Sequence, residues 1–98
     1  MLSLKKILEK IAKRVRFRQL YVQGSPTSVP AGGTSWITVP RPSDAVPIAV
    51  IGWYMLNGQN CIVYNWQLTQ NGAQYAIKNS GTGAATVTIT AYYLCVDE

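Results

Sequence analysis

The sequence predicts an all-β fold, an antiparallel β-sandwich or jelly-roll-like domain, preceded by one N-terminal amphipathic α-helix. Three observations carry this expectation. Residues 1–18 place apolar side chains at helical spacing among seven basic residues. Beyond residue 18, Gly, Pro, Thr, Asn and Gln replace Lys and Arg, and short β-branched or aromatic runs alternate with turn signals. Several of these runs have period two, as a strand with one buried face requires. The chain therefore divides into a basic helical arm, 1–18, and a β-sandwich domain, 19–98.

In the arm, Leu4, Ile7, Leu8, Ile11 and Val15 form one apolar stripe, and Lys5, Lys6, Glu9, Lys10, Lys13 and Arg16 occupy the remaining surface. Glu9 precedes Lys13 by four residues, the favourable order for an ion pair on a helix. A helix this short is marginal alone in water, so the stripe needs a packing partner. Leu4, Leu8, Ile11 and Val15 alternate steps of four, three and four, an a/d pattern that closes a short bundle if the β domains already hold the chains together. The stripe has four possible destinations: its own β domain or copies of itself, a larger assembly, an anionic membrane surface, or nucleic acid through phosphate contacts. Nucleic acid and acidic membrane are not favoured: the arm has no Asn, Gln19 only flanks it, and no aromatic precedes Phe17.

Strands are expected near 19–23, 34–39, 46–56, 61–68, 73–78 and 84–96. Asn57-Gly58 and Asn71-Gly72 favour tight turns, and Pro26, Pro30, Pro40 and Pro42 interrupt ladders. In 61–68, Ile62, Tyr64, Trp66 and Leu68 alternate with Cys61, Val63, Asn65 and Gln67 and read as the apolar face. In the last strand Val87, Ile89, Ala91, Tyr93 and Cys95 alternate with threonines, and Tyr92, Leu94 and Val96 then make the second face apolar too. Residues 46–56 show no polar face at all, so the opposite sheet and arm, or another subunit, must cover the second side. The interface candidates are therefore Leu4, Leu8, Ile11 and Val15 in the arm, with Ile51, Trp53, Met55, Tyr92 and Leu94 in the domain.

Composition excludes more than it names. The 98 residues carry no histidine and four acids, two of them at the end of the chain, so general acid–base, Ser-His-Asp and carboxylate-rich metal chemistry lack their groups. No enzyme and no cofactor are expected. Hydrophobic residues make up 48% and charged ones 13%, about half the usual ~25%, which calls for covered surface. The net charge of +5 is divided: seven bases against Glu9 give the arm +6, and two bases against three acids leave the rest at −1. Cys61 and Cys95 read as buried thiols, with a bridge possible if their strands are neighbours. No apolar run reaches the ~18 residues of a membrane span, and the first 18 residues lack the separate apolar stretch of a secretory signal, so cytoplasmic synthesis is expected.

Trp36, Trp53, Trp66, Tyr54, Tyr64 and Tyr93 lie in expected strands and read as core or interface, with a sugar-binding platform as the alternative. Asn57, Gln59 and Asn60, with Gln70 and Asn71, are ligand-facing loop candidates, though turn chemistry also explains them.

The order of elements resembles the small β-sandwich domains of bacteriophage virion proteins, such as tail-fibre, head-fibre and baseplate modules. The resemblance rests on Ser28-Val29-Pro30-Ala31-Gly32-Gly33 before a Thr-rich strand ending Val39-Pro40, then Ile48-Ala49-Val50-Ile51-Gly52-Trp53. Asn79-Ser80-Gly81-Thr82 leading into Thr86 to Leu94 completes it. It implies a viral structural protein located in the virion: a homotrimer, fixed to other virion proteins through its N-terminal segment, with its distal end meeting a host surface glycan. The chain has one short domain and no long shaft, which fits a capsid or tail accessory subunit. A monomeric glycan-binding module and an anionic-surface binder acting through the arm are the alternatives.

Overall fold

The computed structural model describes residues 3–7 and 16–97. Ser3 opens a helical turn, residues 4–7. Its hydroxyl accepts from the Lys6 amide at 3.2 Å, and its carbonyl accepts from the Ile7 amide at 3.1 Å. This is an N-cap, satisfying an amide that the first turn leaves without a helical partner. Leu8, Ile11 and Val15 lie outside the described residues.

Seven strands form the domain: β1 (Phe17–Gln23), β2 (Thr27–Val29), β3 (Thr34–Pro40), β4 (Ala45–Leu56), β5 (Cys61–Thr69), β6 (Gly72–Asn79) and β7 (Ala85–Asp97). β2, flanked by prolines and only three residues long, was not among the expected strands. β1 begins at Phe17, so Arg18 belongs to the sheet. Its Nε lies 2.7 Å from Asp97 Oδ1 and its Nη2 3.3 Å from Asp44 Oδ2. These pairs are solvent-exposed and contribute little stability.

β7 is the centre of a front sheet. β1 pairs along one edge, from Phe17↔Val96 to Gln23↔Thr90, and β2 continues there from Thr27↔Val87 after a one-residue slip. β4 takes the other edge. In the back sheet β6 lies between β3 and β5. All pairings are antiparallel. The run β1–β2–β3 is matched by the run β6–β7, and both cross between sheets at one place, so the all-β sandwich has a jelly-roll-like winding.

Asn79 sits at that crossing and is buried. Its Nδ2 donates to Val29 O at 3.1 Å and Gly83 O at 2.9 Å, and its Oδ1 accepts from the Gly81 amide at 2.8 Å. Its own amide donates to Gly33 O at 3.0 Å. The core between the sheets is built from Ile37 and Val39 of β3, Ala73, Tyr75 and Ile77 of β6, and Val87, Ile89, Ala91, Tyr93 and Cys95 of β7. The alternation of the last strand is as the sequence predicts. The Tyr93 hydroxyl donates to Val39 O at 2.6 Å and accepts from the Ala73 amide at 2.7 Å. Val39 and Ala73 are register partners, so a front-sheet side chain is stitched into the back-sheet ladder.

Bulges correct the expected faces. β4 slips register between Pro47 and Ala49 and again between Val50 and Gly52, and β5 slips between Val63 and Asn65. In β5 the inward set is consequently Cys61, Val63, Trp66 and Leu68, opposite Asn79, Ile77, Tyr75 and Ala73. Ile62 and Tyr64 are exposed instead of sharing the face of Trp66. The β5–β6 hairpin turns at Gln70-Asn71, and Gly72 follows with φ +128°, where a Cβ would overlap the Val39 carbonyl.

Both cysteines are free and buried. Cys61 pairs with Asn79, which bonds Val29 opposite Ala85, whereas Cys95 lies at the other end of β7. Ten residues of strand separate these ends by about 33 Å, so the two thiols cannot bridge within one chain.

Two substitutions test the stitching. Tyr93→Phe strands the Val39 carbonyl and Ala73 amide, and Asn79→Ala strands the groups at the crossing. Each is expected to lower unfolding free energy by about 1–3 kcal/mol in urea titrations, with an unchanged m-value.

Candidate interaction faces

The outer side of the front sheet is built in rows across β1, β7 and β4: Phe17, Val96 and Val46; Gln19, Leu94 and Ala49; Tyr21, Tyr92 and Gly52. Gln23, Thr90 and Tyr54 follow, then Thr88 and Leu56. Tyr92 is the centre. Its ring lies 4.4 Å from that of Tyr21 and 5.9 Å from that of Tyr54, within the range of favourable aromatic pairs. It also packs over Gly52, where a Cβ would come within 3.3 Å of Tyr92 Cδ2. These rows contain no charged residue, yet Phe17 is 60% and Tyr21 69% exposed. Contiguous apolar surface of this kind marks an interaction site.

A second surface lies along the β4 and β5 edges. On the opposite side the sheets are tied by the Ser35 hydroxyl donating to Ser28 O at 3.2 Å and by Asn79 bonding Val29. Between β4 and β5 the inward-facing rings of Trp53 and Trp66, 5.4 Å apart, span the gap and stay 36% and 42% exposed. Trp53 also lies 5.3 Å from the Tyr75 ring. Exposed Ile51, Ile62 and Tyr64 extend this seam along the two edges.

The expected interface residues therefore fall on two surfaces. Tyr92 and Leu94 face outward from the front sheet. Trp53, opposite Ala91, and Met55, opposite Ile89, face between the sheets, because the β4 bulges carry the outward positions to Ala49, Gly52, Tyr54 and Leu56. Ile51 is the bulge residue itself and is 49% exposed. Of the residues read as core or interface, Tyr93 is core, whereas Trp36, Tyr54 and Tyr64 are exposed in the single chain, which leaves them only the interface reading. Phe17 and Tyr21 were missed as face residues. Their signal is the two-residue step of Phe17-Gln19-Tyr21 in a strand.

The loop candidates are not brought together. Asn57, Gln59 and Asn60 precede β5 and Gln70 and Asn71 follow it, about 26 Å apart at strand rise. Asn57 and Asn60 hold φ of 60° and 62°, and the Asn60 carbonyl accepts from the Ser80 amide at 2.9 Å. The Asn71 carbonyl accepts from the Arg41 amide at 3.2 Å. Turn geometry accounts for both. In the arm, Leu4 is 70% exposed, so the β domain does not cover the described part of the stripe. Among the described residues no three His, Cys, Asp or Glu side chains cluster as metal ligands, and no helix is long and apolar enough to cross a membrane.

Two buried tyrosines make stability depend on alkaline pH. Burial raises the pKa of Tyr75, whose hydroxyl is buried without a hydrogen-bond partner among the described residues; Tyr93 is raised by burial as well, against the Ala73 amide, which lowers it. Unfolded tyrosines lose their protons near pH ~10, so the folded state holds more protons above that pH. The contribution is complete below pH ~10 and falls as pH rises through the folded values. Urea midpoints measured from pH 8 to 11 should drop at the alkaline end, and Tyr75→Phe should flatten that drop.

Compared with known proteins, the chain matches no protein-family model, no curated protein and no solved structure.

Proposed function

We propose that this chain is a structural subunit that self-assembles through its β domain and attaches to a larger particle through its basic arm. The uncharged aromatic outer face of the front sheet is the observation that carries this reading.

In this reading the assembly is a homotrimer: the front face of one copy meets the β4–β5 seam of the next, a heterologous contact that closes as a ring when the rotation between copies allows it. The resemblance to bacteriophage virion modules points to the same number and gives the arm its destination, another virion protein. The reading is thus of a capsid or tail accessory, decoration or fibre subunit.

Light scattering coupled to size exclusion, at micromolar concentration, should give about three times 10.8 kDa. Tyr21→Lys with Tyr54→Lys, both exposed in the single chain, should return a folded monomer by placing charge in the contact. A native monomer or a dimer would sink the ring. For the virion assignment, the gene should lie among capsid, portal or tail genes, and a metabolic neighbourhood would count against it.

A further inference from the structure

The outer face of the back sheet differs in chemistry from that of the front sheet, and apart from Ile62 on its β5 edge it lies outside the contact just described. Its rows run Thr34, Lys78 and Ile62; Trp36, Ala76 and Asn65; Thr38, Gln74 and Gln67. One indole stands among amides and hydroxyls, with Tyr64 at the β5 bulge and Lys78 as the charge at one end. We propose that this face is a binding platform for a neutral glycan, with Trp36 as the stacking surface.

The geometry begins with Ala76. It points outward, between the inward-facing Tyr75 and Ile77, yet none of it is exposed. Trp36 flanks it in its row on one side and the bulged Tyr64-Asn65 pair on the other, so Ala76 is the floor between them. Trp36 itself remains 53% exposed. An indole on a sheet face and half in water suits the apolar face of a pyranose.

Polar groups surround it at the right spacing. The next row lies about 7 Å along the strands, within reach of a sugar stacked on the indole or its neighbour in a chain. There the Gln67 amide donates to Gln74 Oε1 at 2.7 Å, which fixes both side chains and leaves Gln67 Oε1 to accept and Gln74 Nε2 to donate. Asn65 Oδ1 accepts from the Trp66 amide at 2.9 Å, leaving its Nδ2 as a second donor. Sugar hydroxyls both donate and accept, so this mixed set fits a neutral saccharide. Lys78 is the one charge on the face, and no second charge stands beside it to recognise an ionic ligand. The front face, with three tyrosines and no charge, suits a protein partner; this one sets its indole among amides.

The inference does not rest on the trimer. It is tested on the full chain with an array of neutral surface polysaccharides, followed by calorimetric titration with cello-, malto- and chito-oligosaccharides and any neutral glycan retained. The native chain should bind, Trp36→Ala should weaken binding roughly tenfold or more, and Trp36→Phe should recover part of it. Because Trp36 is exposed, the variants should keep the native circular dichroism and the native mass by light scattering, which separates loss of this site from loss of assembly. Absence of binding to every neutral glycan at millimolar concentration, or equal affinity in Trp36→Ala, overturns the proposal.

Discussion

Asn79 occupies the one place where two strands of the same ribbon change sheets. Its side chain bonds the end of β2 and the β6–β7 connection, and its backbone bonds the β2–β3 turn. Burying an amide is unfavourable unless its groups are partnered, and here they are partnered by the segments that must be held together. The sandwich is therefore shut on the β2–β3 side. With that side fixed, the unequal edges β4 and β5 are left to meet as they can, and tryptophan rings fill what backbone does not. The seam is a consequence of the crossing.

Tyr93 fixes the opposite end. Its hydroxyl enters the ladder between Val39 and Ala73, so β6 is tied to the front sheet near one end by Tyr93 of β7 and near the other by Asn79, which bonds Val29 of β2. Between these ends the core consists of small and β-branched residues packed against Tyr75 and Tyr93. A domain of this size gains limited stability from its core alone. Burying the apolar front face in the proposed assembly would add hydrophobic surface that the single chain leaves open. Arg18 lies against Asp44 and Asp97 at the rim, and most of the net positive charge lies in the arm.

Much of this was legible in the residues. Strict alternation from Val87 to Cys95 identified the inward side of β7, and the composition change after Arg18 located the domain to within two residues of Phe17. The same rule was available for Trp36, which shares a parity with Thr34 and Thr38 while Ile37 and Val39 take the other; reading the tryptophans together as core or interface passed over it. The face assignment in β5 failed at Tyr64, where one extra residue reverses everything that follows, and in β4 the extra residues Ile48 and Ile51 left no mark to read. Neither bulge in β4 has a Gly or Pro at the inserted residue, and a run that is apolar on both sides gives no polar mark against which a slip would show. The separation of Cys61 from Cys95 was likewise invisible, because it depends on which strands lie side by side.

Those bulges also bear on solubility. A twelve-residue edge strand in which Val46 to Leu56 carries no charge is the kind of segment that recruits identical strands into fibrils. The irregularities at Ile48 and Ile51 break its hydrogen-bonding row into short pieces that a flat incoming strand cannot match along their length. The edge thus stays apolar without offering the regular hydrogen-bonding row on which unlimited edge-to-edge growth depends.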